Sequence, residues 1–168
     1  MPRSLILTVF FLSSYLLHSQ CPTGTINLPN QSAVEDYIAN FGACEVINGD
    51  LIIGFEVTDI SGITSLKRIE GALRIIGAYI ASVSNFDNLE FIGDDLEITD
   101  TSLLLELSGF NSLFSVGNNL IIDTNSIYAS GLESINGFNN LLSIGGNLVI
   151  SQNPLLLRIV GFNSLSTV

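Results

Sequence analysis

Few residues in this chain could carry chemistry. His18 is the only histidine, and it lies in an N-terminal stretch that reads as removable. Nucleophilic catalysis of the Ser-His-Asp or Cys-His kind needs such a base, so the sequence assigns no catalytic residue. Lysine as a base is limited to Lys67, beside Arg68 on a predicted surface strand. The densest acidic cluster is Asp94-Asp95-x-Glu97 with Asp100. Paired carboxylates are the one enzymatic option, as in glycosidases. The same four are the only metal candidates, and calcium is the ion that carboxylate-rich loops take. The D-x-D-x-D-G loop spacing is not matched, and an acidic run is first of all a solvated turn. Calcium is therefore the only cofactor considered, and none is required. Gly145-Gly146 reads as a chain corner, since no P-loop or dinucleotide fingerprint surrounds it.

The two cysteines, Cys21 and Cys44, have no C-x-x-C spacing and no histidine to complete a zinc site. In an exported chain an even pair forms a disulfide. There is no tryptophan. Tyr79 and Tyr128 are the aromatics predicted to be exposed and to contact a ligand. Tyr128 sits in Ser126–Glu133 (SIYASGLE), which reads as a loop insertion.

These residues must be positioned by an apolar, acidic chain. Hydrophobic residues make up 47% and charged residues 12% of the 168, which excludes disorder. The first segment has secretory form: Arg3, then the mostly apolar Leu5–Leu17 (LILTVFFLSSYLL), then polar His18, Ser19 and Gln20. The apolar stretch is too short to span a bilayer comfortably. Cleavage is placed after Ser19 or Gln20, although a small-x-small site is missing; residues 1–20 are read as a signal peptide. What remains keeps Lys67, Arg68, Arg74 and Arg158 against sixteen acids, a formal charge of −12. Nucleic acid is thereby excluded as a partner, as is electrostatic attraction to anionic membranes.

Residues 32–42 (SAVEDYIANFG) predict a helix. Val34, Tyr37, Ile38 and Phe41 fall on one face, Ser32 and Glu35 have capping-box spacing, and Gly42 supplies a stop. The cysteines bracket it, so residues 21–48 read as a disulfide-closed N-terminal cap.

From residue 49 the chain is self-similar. Leu-x-Ile recurs at Leu51/Ile53, Leu73/Ile75, Leu96/Ile98, Leu120/Ile122 and Leu148/Ile150, in steps of 22, 23, 24 and 28 residues. Each segment closes with spacing three: Ile63-Leu66-Ile69, Phe86-Leu89-Ile92, Phe110-Leu113-Val116, Phe138-Leu141-Ile144 and Phe162-Leu165-Val168. Leu-x-Ile is a short strand with both side chains on one face. The Gly- or Asn-rich corners before it offer cheap positive φ, and the other half suits a bent side with a brief strand near its end. One such unit cannot bury its leucines, but stacked units can. Two sets of stacked corner residues follow: Glu56, Ala78, Thr101, Asn125 and Asn153, and Thr64, Asp87, Asn111, Asn139 and Asn163. Their side chains are expected to serve backbone groups rather than a ligand.

The G-x-L-x-I…G-F-x-x-L-x-x-I-G pattern, with the opening CPTGTI…VEDYIANFGACEVINGDLIIG, resembles the receptor L-domain family, including its secreted bacterial copies. Leucine-rich repeats are the alternative most easily confused with it, but the missing L-x-x-L-x-L-x-x-N consensus argues against them. The resemblance implies an all-β fold, a right-handed parallel β-solenoid with a short N-terminal capping helix. Residues 49–168 would supply about five repeats, and Val168 stops where another turn would open. It also implies a secreted or cell-surface, non-catalytic binding or adhesion scaffold for an unknown protein or glycan, attached to a membrane only through an anchor or downstream domain. The alternatives are a structural spacer carrying other domains, and a β-helical carbohydrate-active enzyme using carboxylates.

Overall fold

The computed structural model describes residues 21–123 and 131–168. The leading segment and Tyr128, with most of its loop, lie outside the described residues.

The five Leu-x-Ile pairs form five strands of a six-stranded sheet, and Ile26 and Leu28 begin the sixth. In chain order along that sheet these are β1 (Ile26–Asn30), β3 (Leu51–Glu56), β5 (Leu73–Ile76), β7 (Leu96–Thr99), β10 (Leu120–Asp123) and β13 (Leu148–Ser151), all parallel. Leu51 pairs with Leu73, Leu73 with Leu96, Leu96 with Leu120, and Leu120 with Leu148. The isoleucines two residues on follow the same register. A one-residue slip would turn every one of these side chains outward, so the apolar alternation itself fixes the register. The 28-residue step is accommodated between strands and does not disturb it.

The spacing-three halves end in a second parallel sheet of two-residue strands: β2 (Val46–Ile47), β4 (Arg68–Ile69), β6 (Phe91–Ile92), β9 (Ser115–Val116) and β12 (Ser143–Ile144). A third sheet joins β8 (Glu106–Leu107), β11 (Ser134–Ile135) and β14 (Arg158–Ile159). It was not legible from the motif, and the first two segments contribute no strand to it. Among the described residues the fold is thus all-β, parallel and solenoid-like, with one α-helix. The stretch read as a cap also contributes β1 and β2 to these sheets.

The core is continuous. The Leu-x-Ile pairs from Leu51/Ile53 to Leu120/Ile122 of the first sheet, Ile69, Ile92 and Val116 of the second, and Phe86, Phe110 and Phe138 are all essentially buried. The three phenylalanines stack in line with Phe162. In the last segment Leu148, Ile150, Phe162 and Leu165 are only partly buried against this core.

Helix α1 (Gln31–Phe41) buries Val34 and Tyr37. Its cap differs from the expected one. Asn30 Oδ1 accepts from Ala33 N at 3.0 Å, so Asn30 and not Ser32 is the N-cap. Because β1 runs straight into the helix, the last strand residue does the capping.

The corners also differ from expectation. Gly71, Gly117 and Gly145 do not take left-handed backbone; a Cβ on Gly117 would instead lie 2.0 Å from the Gly93 carbonyl oxygen, and one on Gly145 2.1 Å from that of Gly117. Glycine stands there because successive corners touch backbone to backbone. Left-handed backbone recurs instead at Phe110, Phe138 and Phe162, with φ of 67°, 64° and 64°, and occurs also at Asp100 and Gln152.

Candidate functional site

Two of the sequence-flagged carboxylates share a cation of the chain itself. Asp95 and Glu97 converge with Asp50 on Arg74, with nearest N–O distances of 3.4, 3.5 and 3.9 Å. Asp95 Oδ1 additionally accepts from Asn119 N and Nδ2, and Asn119 Oδ1 accepts from Asn147 N and Nδ2. Asp50 Oδ1 likewise accepts from Ala72 N. This corner ladder was missed, because Asn at a corner was read as a turn former rather than as an acceptor for the next corner's N–H. Asp94 donates its backbone N–H to Gly71, and Asp100 adopts φ 57° at the end of β7. Among the described residues no group of three or more His, Cys, Asp or Glu is placed to hold a metal ion.

The second predicted set of corner residues serves the backbone and itself. Asn111 donates to Asp87 Oδ1, Asn139 to Asn111 Oδ1 and Asn163 to Asn139 Oδ1, while each also donates to the carbonyl three residues earlier. In the first set Ala78 and Thr101 are buried in the core, Asn153 donates to the Ile122 and Ser151 carbonyls, and Asn125 is outside the described residues. Cys21 and Cys44 are joined in a disulfide, which ties the chain ahead of β1 to the loop after α1.

A concave site occurs where the third sheet is missing. The first two segments, at 22 and 23 residues, have no strand opposite β8; irregular chain runs through residues 57–63 and 78–83, followed by a single 3₁₀ turn (Ser84–Asn88). Between them opens a groove of about 430 Å³. Ala81 is its exposed apolar residue, buried Ile60 and Ile80 lie behind the lining, and Thr58, Ser61, Thr64, Ser82, Ser84 and Asn85 supply hydroxyls and an amide. Asp59 is the only ionisable group in the lining. The Ser61 backbone N–H donates to Asp59 Oδ1 at 2.8 Å and holds this carboxyl below the ordinary aspartate range.

The walls are pre-set. Gln31, at the start of α1, accepts from the Thr58 and Asp59 backbone N–H groups at 3.1 and 2.9 Å and donates to the Asp59 carbonyl at 3.0 Å. The Ser84 N–H donates to Ser82 Oγ, the two serine hydroxyls lie 3.0 Å apart, and Asn85 Nδ2 donates to the Ile63 carbonyl. Tyr79, flagged from the sequence, is 51% exposed, between buried Ala78 and Ile80; its backbone N–H donates to Val57. It therefore points outward immediately beside the groove-lining stretch.

A second outward feature lies on the five-stranded sheet. The Arg68 guanidinium sits 3.8 Å over the Phe91 ring, and Phe91 leans on half-exposed Phe114. Arg68 pairs with Glu70 and Lys67 with Glu45, which raises the Lys67 ammonium above its ordinary value. Nearby cations are thus already engaged by this chain's own acids. A smaller, more apolar pocket of about 270 Å³ lies between α1 and β1.

Residues 43–113 match the model of the receptor L domain family; the stretch includes β2 through β8 and the whole polar groove apart from its Gln31 brace. No curated protein and no solved structure gives a match.

Proposed function

We propose, from the receptor L domain that residues 43–113 carry, that this chain is a secreted or surface-displayed, non-catalytic binding module. In this reading the three sheets are the sides of one right-handed β-solenoid, residues 1–20 direct export, and an anchor or a further domain provides attachment. The family match carries the reading, because receptor L domains are ligand-binding parts of receptors. The site chemistry is in keeping with it. The groove presents neutral donors and acceptors on a braced frame, whereas the best acidic cluster is engaged by Arg74. The disulfide suits an oxidising compartment. Among the described residues no helix is long and apolar enough to cross a membrane.

Glycan and protein arrays probed with the full chain, produced in an oxidising compartment, separate binder from spacer. Saturable capture of a ligand is the expected result, and silence on both arrays favours the spacer. A polysaccharide turnover panel addresses the enzyme alternative. Cleavage that disappears in Asp95→Asn and Glu97→Gln would overturn the non-catalytic reading.

A further inference from the structure

We propose that the groove between residues 58–64 and 80–85 binds a neutral, polyhydroxylated ligand, a short segment of uncharged glycan. This rests on the binding-module reading above and narrows it to a site and a ligand class.

The backbone of one wall is already consumed. Gln31 occupies the N–H groups of Thr58 and Asp59 and the Asp59 carbonyl, and the Val57 carbonyl accepts from Tyr79 N. An extended peptide docking there would find no ladder of free main-chain partners of the kind that gives strand addition its affinity. What the groove offers instead are side-chain hydroxyls, each both donor and acceptor, from two successive segments of the chain. Thr64 and Ser84 are exposed on opposite walls.

Charge narrows the class further. No cation lines the groove, and the chain carries a formal −11 overall, so anionic ligands meet repulsion without compensation. Asp59 is the single carboxylate present, exposed and already accepting from the Ser61 N–H; alone it gives a cation little hold. An uncharged sugar ring carries hydroxyls around its edge and C–H groups on its faces. It meets the hydroxyls with the former and the exposed Ala81 methyl, backed by buried Ile60 and Ile80, with the latter. The volume, about 430 Å³, falls in the usual range of roughly 300–1,000 Å³ for small-ligand clefts. Tyr79, half-exposed next to Ile80, is placed to flank the next ring of a chain leaving the groove.

The test is calorimetric and NMR titration of the full, oxidised chain with defined hexasaccharides: β-1,4-glucan, β-1,3-glucan and α-mannan, with oligogalacturonate as the anionic control. Binding of at least one neutral oligomer is expected, with none for the anionic control. The double variant Thr64→Val/Ser84→Ala, altering two exposed residues, should weaken that binding about tenfold with its melting temperature unchanged. Binding of a cationic chitosan hexamer in preference to every neutral oligomer would overturn the neutral-glycan assignment. Binding that ignores Thr64→Val/Ser84→Ala overturns the groove as its location. If no neutral oligomer binds while the same preparation captures a protein on an array, the ligand class proposed here is wrong and the binding reading stands. If both fail, both fall.

Discussion

The rings of Phe110 and Phe138 lie 5.3 Å apart between centroids and 3° from parallel, both fully buried. They sit at the same corner of successive segments, each on left-handed backbone. That conformation costs an L-residue roughly 1–2 kcal/mol, and ring burial offsets it. Phe138→Ala retains the backbone strain and loses the stacking on both sides, so it should cost about 3–5 kcal/mol. Phe162→Ala, at a partly buried end of the same column, should cost clearly less. Urea unfolding of both variants checks this; equal losses would mean the column does not act as a core element.

The amide column beside the rings supports them separately. Asn139 Nδ2 donates at 3.0 Å both to Asn111 Oδ1 and to the Asn136 carbonyl. Asn139→Ala leaves both acceptors part-buried and unmet, at about 1–3 kcal/mol. Asn111→Ala and Asn139→Ala share one hydrogen bond, so a double-mutant cycle should show a coupling of at least ~0.5 kcal/mol. Simple additivity would reduce the column to independent backbone caps.

The apolar part of this fold was legible because its rule is short. A buried Leu two residues before a buried Ile, repeated every two dozen residues, leaves one stacking register open. Polar detail was less legible, since one residue type serves several roles. Asn119 was read for its turn propensity and is used as an acceptor; Ser32 has the right spacing for a cap, yet Asn30 arrives there first along β1. The groove was illegible for a different reason. It arises from a strand that the two shorter segments do not make, and the serines and threonines left there carry no motif. Only Tyr79, picked as an exposed aromatic, pointed to its neighbourhood.

Close stacking makes a sharp distinction between glycines. A Cβ on Gly117 would meet the backbone carbonyl of Gly93 at 2.0 Å, and a backbone in a paired sheet cannot retreat. A Cβ on Gly62 would meet the Cδ1 end of the Ile38 side chain, which can rotate away. Gly117→Ala should therefore destabilise by about 3 kcal/mol, and Gly62→Ala by less than ~1 kcal/mol. Thermal melts of the two variants decide it, and a benign Gly117→Ala would contradict the backbone contact between corners.

The disulfide closes a loop across a separation of 23 residues that contains β1 and α1. In the chain-entropy picture such a loop is worth about 3 kcal/mol. Reduction, or Cys21→Ser with Cys44→Ser, should lower the melting temperature by roughly 6–12 °C. The groove depends on Gln31 at the start of α1. Glycan binding should thus weaken on reduction well below the new melting temperature, through loosening of that wall. Binding indifferent to reduction would show that α1 does not brace it.

Tyr37 tests the packing of the helix. Its hydroxyl is buried without a hydrogen-bond partner, and burial pushes its pKa up to about 12 from 10.0. Well below pH 10 the phenol is neutral in both folded and unfolded chains and adds no pH dependence. Between pH 10 and 12 the unfolded chain releases this proton while the folded chain holds it, so stability falls as pH rises through that window. Tyr37→Phe removes an unmet polar group without opening a cavity. The variant should be at least as stable at pH 7 and should lose less stability between pH 10 and 12. Urea midpoints at pH 7, 10 and 11.5 measure both effects. A Tyr37→Phe chain that is weaker at pH 7 by more than ~1 kcal/mol would mean that the hydroxyl has a partner, and that the seam between α1 and β1 is wetter than this packing implies.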